Sequence, residues 1–267
     1  LESPSTLHRN TWTWLDTARE LTTGLRSVKK FGRNPSVGTS FEPVAFGGIY
    51  QTPQAASATT LRIKAGGNAN DTSAGSGARE ITLIGLDENF LEVSETLATA
   101  GASASSATTT TFTRLYRAFV SASGTYASGL TGSHSGDIVI ENGAGGTDWA
   151  TIDSADFPKS QTEIGAFSVP AGTTGYVKLR DVSIDSGKTV DLVFFSRTNI
   201  DETAAPYTAM RAQSVVSGVS GGSIETFGTV DVPFGPYVGP TDLGFMAKVG
   251  TGTAKVAVEF EIFIVSE

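Results

Sequence analysis

Apolar and polar residues alternate along most of the chain beyond Thr39. The clearest case is 254–265, where apolar residues occupy every second position from Val256 to Ile264 and polar residues occupy most positions between them. A period of two predicts a β-strand with one buried and one solvated face. The segment 190–195 repeats this pattern, but Val193 and Phe195 make its second face apolar as well. We therefore expect this strand to be central or to lie at an interface.

Similar runs predict two series of strands, separated by loops rich in Gly, Ser, Asn and Asp. The first series is 40–50, 60–65, 78–85, 89–98, 109–121, 136–141 and 148–152; the second is 161–169, 174–185, 188–197, 207–216, 222–232, 243–249 and 254–265. The segment DSADFPKS (153–160) between them is typical of a linker. The fold class that we predict is all-β, with two antiparallel, jelly-roll-like β-sandwich domains at 40–155 and 156–267.

Residues 1–39 show a different periodicity. Apolar residues recur at spacings of three and four, at Trp14, Ala18, Leu21, Leu25 and Val28. This spacing predicts a short amphipathic helix near 14–27. Pro35 prevents the basic segment at 29–35 from continuing it. We interpret 1–39 as an N-terminal arm with a short helix; the alternative is a helix that packs on the first domain.

Composition narrows the possible functions. The net charge of −8 and the pI near 4.9 disfavour binding to DNA or RNA, because nothing in the chain is strongly attractive to phosphate. The chain has no cysteine, which excludes disulfides, thiolate nucleophiles and cysteine-ligated metals. No apolar run approaches the roughly 18 residues of a membrane-spanning helix. We therefore predict neither a nucleic-acid partner nor membrane insertion.

The acidic stretch GLDENFLEVSETL (85–97) is the first place to look for catalysis, because it carries Glu88, Glu92 and Glu95. Paired carboxylates are the machinery of glycoside hydrolysis. Glu92 lies on the polar face of the predicted strand and needs no explanation beyond solvation. Glu95 shares its face with apolar residues, so we expect it to pair with Arg79, Arg114 or Arg117. A glycan hydrolase built on a sandwich remains a third alternative.

Two glycine-rich motifs resemble catalytic loops but lack their context. GVSGG (218–222) matches G-x-S-x-G, yet a strand-like segment follows it and both histidines, His8 and His134, precede it. GTGTAK (250–255) lacks the spacing of a phosphate-binding loop and the helix that should follow. We predict a hairpin loop at the first and a hairpin turn at the second.

Metal binding has weak support. Neither histidine has a second ligand at a suitable spacing. Loop oxygens of the type that Ca²⁺ prefers occur around Asn68, Asn70 and Asp71, and more sparsely at Asp148, Asp153 and Asp156, but without EF-hand spacing. We predict no catalytic residue, no cofactor and no metal, and Ca²⁺ in a loop remains an open alternative.

Three parts of the chain together carry a family resemblance. They are FGRNPSV (31–37), the pair AREITLIGLDENFLEVSETLATAG (78–101) and TTFTRLYRAFV (110–120), and EIGAFSVPAGTTGYVKLRDVSI (163–184). This combination resembles the virion structural proteins of tailed bacteriophages, especially marine ones. The resemblance covers most of 31–200 and brings no catalytic residue with it.

The resemblance implies a non-enzymatic virion component that acts through contacts with other capsid or tail proteins, such as a capsid decoration (cement) protein or a head or tail accessory protein. It also implies a homo-oligomer, with a trimer as the expectation. We expect the arm to dock on the particle through Trp12, Trp14, Leu21, Leu25, Lys29, Lys30 and Phe31. The alternative is a receptor- or carbohydrate-binding module of a tail fibre, with Tyr126, Trp149, Tyr207 and Tyr237 as candidate rings.

Overall fold

The computed structural model describes residues 23–47, 58–129, 132–155, 160–220 and 233–266. These residues form an all-β structure of fifteen strands in antiparallel sheets, without a helix, and hence without a helix that could cross a membrane. The strands are β1 (Leu25–Val37), β2 (Glu42–Pro43), β3 (Leu61–Ile63), β4 (Ala78–Leu86), β5 (Glu92–Ala98), β6 (Arg114–Ser123), β7 (Ile138–Asn142), β8 (Asp148–Ile152), β9 (Ala166–Val169), β10 (Thr173–Ile184), β11 (Thr189–Thr198), β12 (Arg211–Ser220), β13 (Phe234–Val238), β14 (Thr241–Val249) and β15 (Ala254–Ser266).

The first and last of these strands are neighbours in a four-stranded sheet of order β1-β15-β10-β13. The β1–β15 register runs from Leu25 opposite Val265 to Asn34 opposite Val256. The alternation predicted for β15 is confirmed, since its five apolar residues from Val256 to Ile264 are all buried. Strand β13 was not predicted, because two prolines and two glycines in 235–240 are more typical of a loop.

A second sheet has the order β12-β11-β14-β2, and β9 also pairs with β14. In β11, Phe194 and Phe195 are both buried although they point to opposite faces, which confirms that both sides of this strand are covered. Strand β12 lies at the end of this order, and most of its side chains are exposed.

Two three-stranded sheets contain most of the first half of the chain. Their orders are β3-β7-β8 and β5-β4-β6. The turn between β4 and β5 is closed by the Asp87 carboxylate, which accepts the backbone N–H groups of Asn89 and Leu91. Phe90 within this turn adopts a left-handed backbone with φ of 58°.

One cluster of buried apolar residues includes side chains from all four sheets. Buried ion pairs also join strands that are distant in sequence. The Arg114 guanidinium of β6 contacts the Asp242 carboxylate of β14 at 3.1 Å, and Arg33 of β1 contacts Glu163 at 2.7 Å and Asp153 at 2.8 Å. These contacts fix the first and second halves of the chain against each other.

Backbones approach closely where β1 crosses the segment before β9. A Cβ atom placed on Gly32 would lie 2.0 Å from the backbone nitrogen of Gly165 and 2.3 Å from the carbonyl oxygen of Val44. Only a residue without a side chain fits between these backbone atoms. Gly32 therefore allows β1 to lie close to the segment that leads into β9.

The helix predicted near 14–27 is wrong for its last residues, because 25–27 belong to β1 and pair with Val265, Ile264 and Phe263. Ladder hydrogen bonds and packing in the sheet override a helical spacing that is only marginally stable alone. Residues 14–22 lie outside the described residues, as does the strand predicted at 222–232. Of the strand predicted at 40–50, only β2 forms within 40–47. The division into an arm and two sandwich domains stays a prediction.

Candidate functional site

A cavity of about 210 Å³ lies between β1 and the β5-β4-β6 sheet. Its wall is formed by Arg26, Ser27, Val28, Lys29, Lys30, Ile84, Glu92, Tyr116 and Arg117. Four of these residues are basic and one is acidic, in a chain whose net charge is −8. We call this site the β1 cavity, and its excess of positive charge distinguishes it from the acidic remainder of the protein.

Lys30 is the most unusual residue of the β1 cavity. It is only 3% exposed, because it shares the inward-facing side of β1 with Val28 and lies opposite Phe260. Its ammonium nitrogen donates to the backbone carbonyl of Tyr116 and lies 5.6 Å from the centroid of that ring. Burial lowers the pKa of Lys30 well below its ordinary value, and the positive charge of Arg117 lowers it further.

Tyr116, Glu92 and Arg26 form a chain of polar contacts beside Lys30. The Tyr116 hydroxyl donates to Oε2 of Glu92, and Nη2 of Arg26 donates to the same oxygen at 2.8 Å. Burial raises the pKa of Tyr116, and the Glu92 charge raises it further, so this phenol keeps its proton. Its strand parity predicts that Glu92 is only solvated. The carboxylate in fact binds two groups of the cavity wall.

Arg117 lines both the β1 cavity and a second, larger depression. Its Nη2 donates to the Lys29 carbonyl, and burial lowers its pKa. The depression has a volume of about 600 Å³ and is lined by Lys29, Phe31, Gly32, Arg33, Arg117, Gln161, Asp181, Ser183, Ala257, Val258 and Glu259. Glu259 lies opposite both Phe31 and Asp181 in the sheet, so two like charges are direct cross-strand neighbours there.

The predicted docking residues fall into two groups. Trp12, Trp14 and Leu21 lie outside the described residues. The other four belong to β1: Leu25 is half-buried, Lys29 is exposed, Lys30 is buried, and Phe31 lines the larger depression. Their role in binding a partner stays a prediction.

The aromatic residues proposed for sugar binding differ in accessibility. Trp149 and Tyr237 are buried in the core, whereas Tyr126 is 97% exposed and Tyr207 is 37% exposed. Only the last two rings present a surface to a ligand.

Glu95 is bonded, but not to an arginine. Its carboxylate accepts the backbone N–H groups of Thr109 and Thr110, at 2.8 and 2.7 Å, and these bonds lower its pKa against the opposing effect of burial. The prediction of an ion pair with Arg79, Arg114 or Arg117 is therefore wrong. A loop that turns its N–H groups towards the strand satisfies the carboxylate instead, and strand parity carries no signal for such a loop.

Three of the four aspartates considered for Ca²⁺ also have partners within the protein, and the fourth, Asp156, lies outside the described residues. Asp71 accepts the N–H groups of Ala78, Ser135 and Gly136. Asp148 is paired with Lys64. Asp153 is paired with Arg33. Across the described part of the chain, no group of three or more His, Asp or Glu side chains is arranged to hold a metal ion.

From the sequence, Lys30 was assigned to a basic segment and to the predicted docking residues, and it was not connected with Glu92, Tyr116 and Arg117. The only signal was the parity of Lys30 with Val28 along β1. This parity indicates that Lys30 faces inward only if 25–37 is taken as a strand, because alternate residues of a strand share a face.

No family model matches the chain, and no curated protein matches it. Among solved structures, it is similar to a structure of infectious bursal disease virus, Gt strain, with 12% identity and a TM-score of 0.23 over 91% of this chain and 72% of the other. The VP2 subviral particle of the same virus gives 11% identity and a TM-score of 0.24, with the same coverage. This is a weak structural similarity, and at these values it carries no argument about function.

Proposed function

We propose that the protein is a non-enzymatic structural component of a tailed bacteriophage virion. Within that class we favour a capsid decoration (cement) protein, or an accessory protein of the head or tail, that acts through contacts with other virion proteins. The support is the resemblance carried by 31–37, 78–101, 110–120 and 163–184, together with the all-β fold. Assembly as a homo-oligomer, with a trimer as the specific proposal, would strengthen attachment through multivalency.

The observation that carries a role in contacts is the apolar surface on and just before β12. Val215 is 58% exposed, Met210 is 43% exposed, and Tyr207 also presents its ring. Among the described strands, β12 pairs with β11 alone. Exposed apolar side chains on a strand at the margin of a sheet favour association with another protein surface. We call residues 207–215 the β12 surface.

Binding of the purified protein to particles that lack it tests the proposal. We expect Met210→Asp and Val215→Asp to reduce binding at least tenfold, because each places a charge in an apolar interface. Leu91→Asp is the matched control, since Leu91 is 50% exposed in the turn between β4 and β5. Circular dichroism establishes that each variant is folded. Full binding by folded variants of both β12 residues would remove the β12 surface from the proposal.

The contribution of the arm requires a truncation that spares β1. Deleting 1–39 would remove a strand that pairs with β15 along most of its length, and attachment would then be lost through unfolding. Deleting 1–22 leaves the pairing of Leu25 with Val265 in place. We expect this shorter deletion to abolish attachment if the arm docks on the particle. Unchanged attachment would restrict docking to the chain beyond residue 22.

A receptor- or carbohydrate-binding module of a tail fibre is the second candidate, and the exposed ring of Tyr126 favours it. Aromatic rings that present a free face can stack on sugars or on partner side chains. Glycan-array or host-surface binding that falls after Tyr126→Ala would support this candidate. Trp149→Ala and Tyr237→Ala are unsuitable tests, because both rings are buried and their loss would act on stability.

A further inference from the structure

Lys30 combines burial with the absence of a carboxylate partner among the described residues. A buried lysine is normally stabilised by an acid, because an unpaired buried charge is costly. Here the hydrogen-bond acceptor of Nζ is the neutral carbonyl of Tyr116, and the charge that acts on the lysine is that of Arg117. Burial and the Arg117 charge favour the neutral amine, whose lone pair is nucleophilic.

The wall of the β1 cavity favours an additional negative charge. With Lys30 neutral, Arg26 and Arg117 outnumber the single carboxylate of Glu92. Glu261 lies opposite Lys29 on β15 and contacts Ser27, on the side of β1 away from the inward-facing Lys30. Within the described residues, the one side-chain hydrogen bond of Arg117 leads from Nη2 to the Lys29 carbonyl. The other N–H groups of this guanidinium are therefore available to an anion.

We propose that Lys30 is a carbamylation site for carbon dioxide. The amine nitrogen attacks the carbon of CO₂, a new N–C bond forms, and one C=O π bond becomes the carboxylate. One proton leaves the nitrogen for solvent, so that R–NH₂ and CO₂ give R–NH–COO⁻ and H⁺. The product keeps one N–H, which is the hydrogen that the Tyr116 carbonyl accepts. Its carboxylate is stabilised by the guanidinium groups of Arg26 and Arg117.

The cavity has room for this product. Its volume of about 210 Å³ compares with about 30 Å³ for one water molecule in the liquid, and the reaction adds three non-hydrogen atoms. Carbon dioxide is uncharged, so it enters the cavity without the desolvation cost of an ion. Because the wall includes the exposed Lys29 and the partly exposed Arg26, the cavity meets solvent on that side. This inference is independent of the proposed virion role.

The test is ¹³C NMR of the full protein equilibrated with ¹³C-labelled bicarbonate at mildly alkaline pH. We expect one carbamate resonance that disappears in Lys30→Met and persists in Lys29→Met, the matched control on the exposed face of β1. Arg117→Met should lower the occupancy at least threefold, because one of the two compensating guanidinium groups is lost. An unchanged resonance in a folded Lys30→Met variant would overturn the proposal.

A second measurement needs no variant. Alkylation of the equilibrated wild-type protein converts a carbamate into a stable ester, and peptide mass spectrometry then locates it. We expect the ester on the peptide carrying Lys30, at least tenfold above any exposed lysine such as Lys248. Equal labelling of Lys30 and Lys248, or no label on Lys30, would refute selective carbamylation.

Discussion

The buried pair of Arg114 and Asp242 provides the sharpest test of how the two halves of the chain are held together. Neither side chain is more than 1% exposed, and three nitrogen–oxygen contacts of 3.1 to 3.2 Å join them. Ser168 adds a hydrogen bond of 2.6 Å to Oδ1 of Asp242. Removing one partner leaves the other charge buried, which costs about 3–5 kcal/mol. We expect Arg114→Met and Asp242→Leu each to lower the free energy of unfolding by that amount.

The double variant should behave differently. Burial raises the pKa of Asp242 even though Arg114 and Ser168 act to lower it, so the desolvation of the carboxylate outweighs its attraction to the guanidinium. A pair with this balance contributes little beyond what an apolar pair of similar volume provides. We therefore expect Arg114→Met/Asp242→Leu to lie within about 2 kcal/mol of the wild type. Most of the remaining loss of stability reflects the Ser168 hydroxyl, which loses its hydrogen-bond acceptor.

Urea unfolding followed by circular dichroism and tryptophan fluorescence measures these differences, and coincident transitions justify a two-state treatment. Adding Ser168→Ala to the double variant serves as the control for the orphaned hydroxyl. If the double variant lost as much stability as the sum of the two single variants, the coupling energy between Arg114 and Asp242 would be zero. An orphaned buried charge would then not explain the cost of the single substitutions.

Three further outcomes are expected from other sites. Gly32→Ala should lower the free energy of unfolding by about 1–3 kcal/mol, because rigid backbone blocks the new methyl group, whereas Gly250→Ala, with open space around it, should be near neutral in the same urea titration. Because burial lowers the folded pKa of Lys30, the unfolded chain holds this proton more tightly, so the stability of the wild type should rise with pH between the folded pKa and the ordinary lysine value. Lys30→Met should flatten this slope, and an unchanged slope would show that Lys30 does not titrate on unfolding. Glu95→Gln should lower the free energy of unfolding by about 1 kcal/mol at pH 7. Because the folded pKa of Glu95 is lowered, the difference in stability between this variant and the wild type should shrink as acid protonates the carboxylate. A difference in stability that does not depend on pH would contradict a role for the charge.

Strands were predictable from the sequence because burial on one face imposes a period of two. The alternation in β15 and the doubly apolar β11 are both confirmed. The helix near 14–27 was misread at its end, because Leu25 and Val28 satisfy a helical spacing by chance while pairing with β15 decides their conformation. Local spacing does not reveal which distant strand a segment meets.

The partners of charged residues were less predictable than the strands. Arg33 and Glu163 are separated by 130 positions, and the carboxylate of Glu95 meets backbone groups that have no sequence signature. From the sequence, Lys30 was assigned to a basic segment, because three of the five residues at 29–33 are cationic. Only the register of β1 against β15 shows that this lysine lies opposite Phe260 and faces inward.

The pairing of β1 with β15 also determines how the protein responds to mechanical load. The backbone N–H of Ser266 donates to the carbonyl of Gly24, so the outer ends of the two strands meet at one corner. Tension applied between these two points would pull the strands apart like a zipper, breaking one rung after another at low force. Tension applied between Gly24 and the start of β15 at Ala254 would instead load many of the hydrogen bonds between the two strands in shear at the same time. A particle that held the protein at that corner alone would therefore release the sheet far more easily than one that gripped it at opposite ends.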